Sequence, residues 1–196
     1  MALADFLGPF LPVPGAADSV TPAPPAPGKT PRCLAVVMPR PKPTEWCWAA
    51  TTSAVCTYFA GRGSGAPASP CEIATVWLQT ACCPEPTDPN DSRNVPFGLE
   101  GPLGAPPGHL AEPPSAALEF DQVMAQIDLG RPVCCHIAWH ATSPDQGHYN
   151  MIVGYDPATQ DVDVRDCLYS DSSLPFDAFR NAYQGSGSWD TSYLTK

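Results

Sequence analysis

No stretch of this sequence approaches 18 consecutive apolar residues, so it offers no transmembrane helix. Positive charge is scarce: 10 Lys and Arg stand against 20 Asp and Glu, a formal net charge of −10. Binding a phosphate backbone demands clustered cations, which excludes nucleic acid as a partner. Histidine is also rare, with four in 196 residues, which keeps the choice of a general base short. The opening Met1-Ala-Leu-Ala-Asp5 lacks the basic n-region of a signal peptide. If disulfides form, the expectation is an oxidising destination reached by another export route, or by a signal trimmed from the sequence given. No internal repeat is visible.

What the chain has in excess is proline and cysteine. Hydrophobic residues make up 43% of it, enough for one domain with its own core. Of its 26 prolines, eleven fall within residues 1–43, including Pro22-Ala-Pro-Pro-Ala-Pro27. Such a stretch favours extended polyproline conformations with no face to bury, so residues 1–30 read as a disordered tail or linker and 31–196 as the folded domain. Nine more prolines lie in 84–114. A structureless loop of that length inside a domain is expected to be functional, disulfide-tethered or mobile. The nine cysteines (33, 47, 56, 71, 82, 83, 134, 135 and 167) cannot all pair within one chain. A catalytic thiol with up to four disulfides fits, and so do nine free thiols. The vicinal pairs Cys82-Cys83 and Cys134-Cys135 lack the short spacing of zinc ligands, so neither a metal nor a cofactor is expected.

Nothing breaks a helix from Trp46 to Ala60, where Trp48, Thr52, Val55 and Phe59 share one face. Gly61-Arg-Gly-Ser-Gly65 then ends it. Ser69-Pro-Cys-Glu72 reads as an N-cap, a proline at the first helical position and the Glu of a capping box, predicting a second helix to about Thr80. A third is expected from Phe120 to Leu129, closed by Gly130 and Pro132. The period then changes. Val133–Ala138 and Tyr149–Tyr155 read as buried strands, and Asp156-Pro-Ala-Thr-Gln160 as a turn. Asp161–Arg165 alternates acid and valine like a hairpin partner. Helices followed by an antiparallel sheet make an α+β layout.

Cys47 falls in the first turn of the first helix, where unsatisfied backbone N–H groups and the positive dipole end favour an anionic sulfur. A cysteine between Trp46 and Trp48 also reads as a packed core residue. A nucleophile requires a base, and the base an orienting group. His109 lies in the proline-rich loop and is expected to be solvated; His136 is mid-strand, in the core or on the surface; His140 follows Trp139 near a strand end. His148 opens a strand beside a turn, partly exposed yet rigidly held. Antiparallel pairing about the 156–160 turn brings Asp166 near His148, although a plain turn acid fits Asp166 as well. Trp46 and Trp48 are expected to pack on the helix, Trp77 in the core, Trp139 in the core or along a cleft wall, and Trp189 on the sheet.

Trp46-Cys-Trp-Ala-Ala50, Gly147-His-Tyr-Asn-Met-Ile-Val-Gly-Tyr155 and Val164-Arg-Asp166 resemble the papain-like cysteine peptidases, specifically the AvrRpt2-type bacterial effector family. The similarity spans about residues 33–196. It implies a papain-like two-lobe fold, with a helical left lobe and an antiparallel β-sheet right lobe facing each other across a cleft. It also implies Cys47 as nucleophile, His148 as base and then acid, and Asp166 as orienter. The expected substrate is a protein or peptide, and the expected setting a secreted or injected effector or toxin with a cognate inhibitor or immunity protein. One departure stands out: the family carries a glutamine shortly before the nucleophile to help bind the oxyanion, and here that stretch is Arg40-Pro-Lys-Pro43. The two prolines offer no N–H. Replacement donors are the Cys47 backbone, Arg40, Lys42 and Thr44, with Trp46 and Trp48 beside them as cleft candidates. The same triad also suits deamidation or acyl transfer, and a disulfide-stapled binding module with a dead site is the non-enzymatic alternative.

Overall fold

The computed structural model describes residues 29–139 and 147–196. The expected disordered tail, apart from its last two residues, and His140 lie outside them. Helix α1 runs Cys47–Ala60, and its core-facing side extends beyond the four expected residues. Ala49, Ala50, Thr51, Ser53, Ala54 and Tyr58 are buried as well, because the helix is covered on almost every side. Helix α2 (Pro70–Leu78) starts at the expected capping box: Ser69 N donates to Glu72 Oε2 at 2.7 Å, and Glu72 N to Ser69 Oγ at 3.4 Å. It stops short of Thr80 because Gln79 turns left-handed, at φ 54°. Two further helices carry no strong sequence signal: α3 (Glu100–Gly104) inside the proline-rich loop, and α5 (Phe176–Ala182). Between them α4 spans Phe120–Asp128, and Gly130 follows at φ 74°.

The sheet is antiparallel throughout, in the order β2 (Ser115–Ala116), β7 (Gly187–Leu194), β3 (Val133–Trp139), β4 (Gly147–Asp156), β5 (Asp161–Arg165) and β6 (Ser172–Pro175). A short β1 (Arg32–Cys33) pairs with the far end of β4. Strand β4 is central and buried along nearly all its length, which accounts for its unbroken apolar run, whereas β5 buries only Val162 and Val164. The chain is therefore α+β, with α1 packed against β4 and α2. One core joins Trp48 and Val55 of α1 to Ile137, Met151, Ile152 and Val164 of the sheet.

Cysteine chemistry falls between the two expected extremes. Cys71 and Cys83 form a disulfide that ties the start of the proline-rich loop to α2, and the other seven are free thiols. Cys134 and Cys135 lie consecutively in β3, both fully buried. His109 is not solvated. It is 3% exposed, stacked on Phe59 with ring centres 4.9 Å apart, with Nδ1 3.1 Å from the Lys196 carbonyl. Trp77 is only half-buried, against Phe97, while Trp189 packs on Phe176 and Phe179.

Candidate active site

The β4–β5 hairpin sets Met151 opposite Arg165, so the residue after β5 falls beside the first half of β4. His148 and Asn150 share one face of that strand by its two-residue period. Both point at Asp166: His148 Nε2 is 2.8 Å from Asp166 Oδ2, and Asn150 Nδ2 is 3.4 Å away. Tyr183, just after α5, donates its hydroxyl to the same oxygen at 2.8 Å. The other carboxylate oxygen accepts the backbone N–H groups of Leu168 (2.7 Å) and Tyr169 (2.9 Å). Asp166 is fully buried, and its lone pairs are satisfied from three separate segments of the chain. Asn150 and Tyr183 were not singled out in the sequence; the alternation His148-x-Asn150 was the available signal for the first, and none existed for the second.

With Nε2 engaged by Asp166, the remaining nitrogen of His148 is left for Cys47, which lines the same cavity. Burial disfavours the imidazolium. Hydrogen bonds and charge from Asp166 and Cys47 outweigh it and lift the His148 pKa to about 9. Burial pushes the Asp166 carboxyl up, but the imidazole and the backbone N–H groups of Tyr169 and Leu168 prevail and hold it below its ordinary value. Trp139 lies nearly parallel to the His148 ring, 6.4 Å between centres, and Tyr169 meets it edge-on at 5.7 Å. These rings screen the pair from water.

Cys47 is the first residue of α1. Trp46, at the N-cap, supplies no capping hydrogen bond, so the first-turn N–H groups stay available to an anion. The proline-rich loop holds this helix start in place. Trp46 Nε1 donates to the Arg93 carbonyl (2.7 Å) and Trp48 Nε1 to that of Val95 (3.2 Å). Asn94 accepts the Glu45 N–H at 2.9 Å and donates to Thr44 Oγ1 at 3.2 Å. Arg93, which carries that backbone, is itself fixed by two bonds to the Asp91 carboxylate. The loop is thus structured and tethered.

Two cavities open on Cys47. One, of about 300 Å³, is lined by Glu45, Trp48, Pro96, Phe97, His136, Gly147 and Tyr149. The other, of about 370 Å³, is lined by Thr44, Glu45, Pro96, Trp139, Gly147, His148 and Leu168. Of the oxyanion and cleft candidates, Thr44 and Trp48 border this space. Trp46 is fully buried with its indole N–H already used, and Lys42 is exposed, its backbone N–H donating to Glu85. Trp139 takes the cleft-wall position. His136 was read only as core or surface; it lies in the first cavity, half-buried, with Nδ1 2.8 Å from Asp190 Oδ1. Its ring covers Gly147, where a Cβ would run into it.

Residues 110–190 match the Peptidase_C39 like family. The matched segment contains His148 and Asp166 but stops short of Cys47. A solved structure from Bacillus anthracis, described as a C39-like peptidase, is similar over 86% of this chain and 99% of its own, with a TM-score of 0.53 and 16% identity. No curated protein matches the chain. At that identity the structural likeness establishes the fold; with the family match it supports a cysteine peptidase family.

Proposed function

We propose that this protein is a cysteine endopeptidase working through Cys47, His148 and Asp166. The observation that carries the reading is the arrangement itself: a sulfur at a helix start shares a cavity with an imidazole, one nitrogen of which rests on a buried, saturated carboxylate. His148 accepts the Cys47 proton and Cys47 Sγ attacks the peptide carbonyl carbon. Helix-start N–H groups, that of Cys47 first, receive the developing oxyanion. His148 then donates the proton to the leaving amine, leaving a thioester on Cys47. It next deprotonates a water that attacks the thioester, releasing the acid and regenerating the thiol. Asp166 keeps the ring in the productive tautomer and stabilises the imidazolium.

The AvrRpt2-type effector reading extends this to a secreted or delivered peptidase acting on a host or rival protein. The Cys71–Cys83 disulfide supports an oxidising stage in that route. The experiment is digestion of an unfolded protein by the intact chain, read by mass spectrometry. Fragments from the wild type and none from Cys47→Ala are expected. An uncut but deamidated substrate, or equal cutting by Cys47→Ala, rules the peptidase out.

A further inference from the structure

The two cavities at Cys47 offer a substrate different surroundings. His148 borders the cavity of about 370 Å³ but not the one of about 300 Å³. Because His148 hands its proton to the leaving amine, that amine lies on the larger cavity's side. The smaller cavity is then left to the residue whose carbonyl carbon Cys47 attacks. Its walls include the Trp48, Phe97 and Tyr149 rings. Trp48 is fully buried with its indole N–H on the Val95 carbonyl, and the Phe97 ring lies 5.2 Å from its own, so this wall is set before a ligand arrives. Glu45 borders the same space, solvent-exposed and in no ion pair among the described residues. The His136 Nδ1 is bonded to the Asp190 carboxylate, so any positive charge on that ring is balanced beside it. Among the described residues, no Lys or Arg borders either cavity.

We propose that the smaller cavity is a subsite for a lysine or arginine side chain on the acyl side of the scissile bond, with Glu45 as the specificity-determining residue. The assignment to the acyl side rests on the peptidase reading. An aromatic wall beside an acid suits a long cationic side chain. Its methylenes lie along the rings while the charged head reaches the carboxylate and solvent. Aromatic faces attract the cation as well. An acidic side chain would instead meet Glu45 as a like charge. The larger cavity shares Glu45 but holds His148, which becomes an imidazolium during the reaction and repels a second cation. The preference is therefore confined to one side of the bond. The net charge of −10 works in the same direction, drawing cationic segments toward the protein.

The test uses the full-length protein and two matched peptidyl acyloxymethyl ketones, one carrying arginine beside the ketone and the other its uncharged isostere citrulline. Cys47 Sγ displaces the probe's carboxylate and forms a thioether, so labelling reads recognition without requiring hydrolysis. Rates at Cys47 are followed by peptide mapping and divided by each protein's own iodoacetamide rate, which removes differences in sulfur reactivity. The wild type should favour the arginine probe by about 10-fold, the low end for a charge-assisted bond because Glu45 is exposed. That ratio should fall to about one in Glu45→Gln and invert in Glu45→Lys. It should persist in Glu112→Gln, where the lost acid is exposed but borders neither cavity. Digestion of an unfolded protein should likewise give fragments ending in Lys or Arg. Equal labelling by the two probes, labelling by neither, or a ratio unchanged in both Glu45 variants overturns the proposal. A chain that discriminates the probes through Glu45 yet hydrolyses no protein retires the peptidase and leaves the cation subsite standing. Cleavage without discrimination does the reverse.

Discussion

His148 and Asp166 are held by buried, redundant contacts, whereas the approach to Cys47 is held from outside by a loop. Asp166 is fully buried and accepts bonds from two neighbouring backbone N–H groups and three side chains. The segment before Cys47 has exposed residues at 42, 44 and 45, and its polar anchors come from residues 85, 93 and 94. A buried carboxylate with every lone pair used resists displacement, because each broken bond leaves a group desolvated and unpaired. An exposed segment pinned by a few bonds yields more easily. The sheet side should therefore fail sharply on mutation and the helix side by degrees.

The largest effect is expected from Asp166→Asn. An amide keeps the shape but presents donors to a site built of donors, and it frees the imidazole to take the wrong tautomer. A fall in kcat of about 10²–10⁴ is expected, by the same physics as the aspartate of a serine triad. Steady-state rates on a peptide substrate test this, with circular dichroism to confirm folding. A variant within a few-fold of wild type would remove Asp166 from the mechanism.

Gly147→Ala comes next. The new Cβ meets the His136 ring, which cannot simply swing away because Asp190 holds it and Tyr149 packs on it at 5.1 Å. Either His136 or the strand start carrying His148 must shift, and displacing a catalytic group by about 1 Å can cost about 10²-fold. Adding His136→Ala should restore most of the rate. No rescue would place the damage elsewhere.

The hairpin that joins His148 to Asp166 was legible because strand alternation and a clear turn fix register, and register fixes which end of β5 meets which end of β4. The starts of α1 and α2 were legible for a similar reason: breakers and caps are local. Tyr183 and Asn94 were not, since each acts across the fold, on a carboxylate 17 residues away and on a backbone 49 residues away. His109 was misread because proline density signals irregular backbone, not exposure, and this loop packs on α1.

The pH profile tests the sheet side without mutation. A His pKa raised to about 9 means that the native state favours the imidazolium. That stabilisation is fully present below the ordinary value of about 6.5 and is lost as pH rises through about 9. The lowered Asp166 pKa works the other way: its contribution is present above the ordinary value of about 3.9 and is lost as pH falls through the depressed one. Thermal unfolding should thus be hardest between roughly pH 4 and 6.5 as far as this pair is concerned. The alkaline limb of kcat/KM should fall near pH 9 and move down in Asp166→Asn. A limb that stays put would assign the raised pKa to Cys47 alone.

The smallest effect is expected on the helix side, from Asn94→Ala. Asn94 bridges three groups: it accepts from the Glu45 backbone and donates to Thr44 Oγ1 and to the Pro89 carbonyl at 2.9 Å. Removing it cuts the direct tie between the loop and the residues bordering both cavities, while the Trp46 and Trp48 indoles still hold the helix start. The freed groups are exposed and find water, so each lost bond costs about 0.5–1.5 kcal/mol at most. Thr44 and Glu45 line the cavities and bond to neither His148 nor Asp166, so KM should rise several-fold with kcat nearly unchanged, and the alkaline limb should stay near pH 9. A large drop in kcat would mean that the loop positions the sulfur itself, and that the helix side is as tightly determined as the sheet.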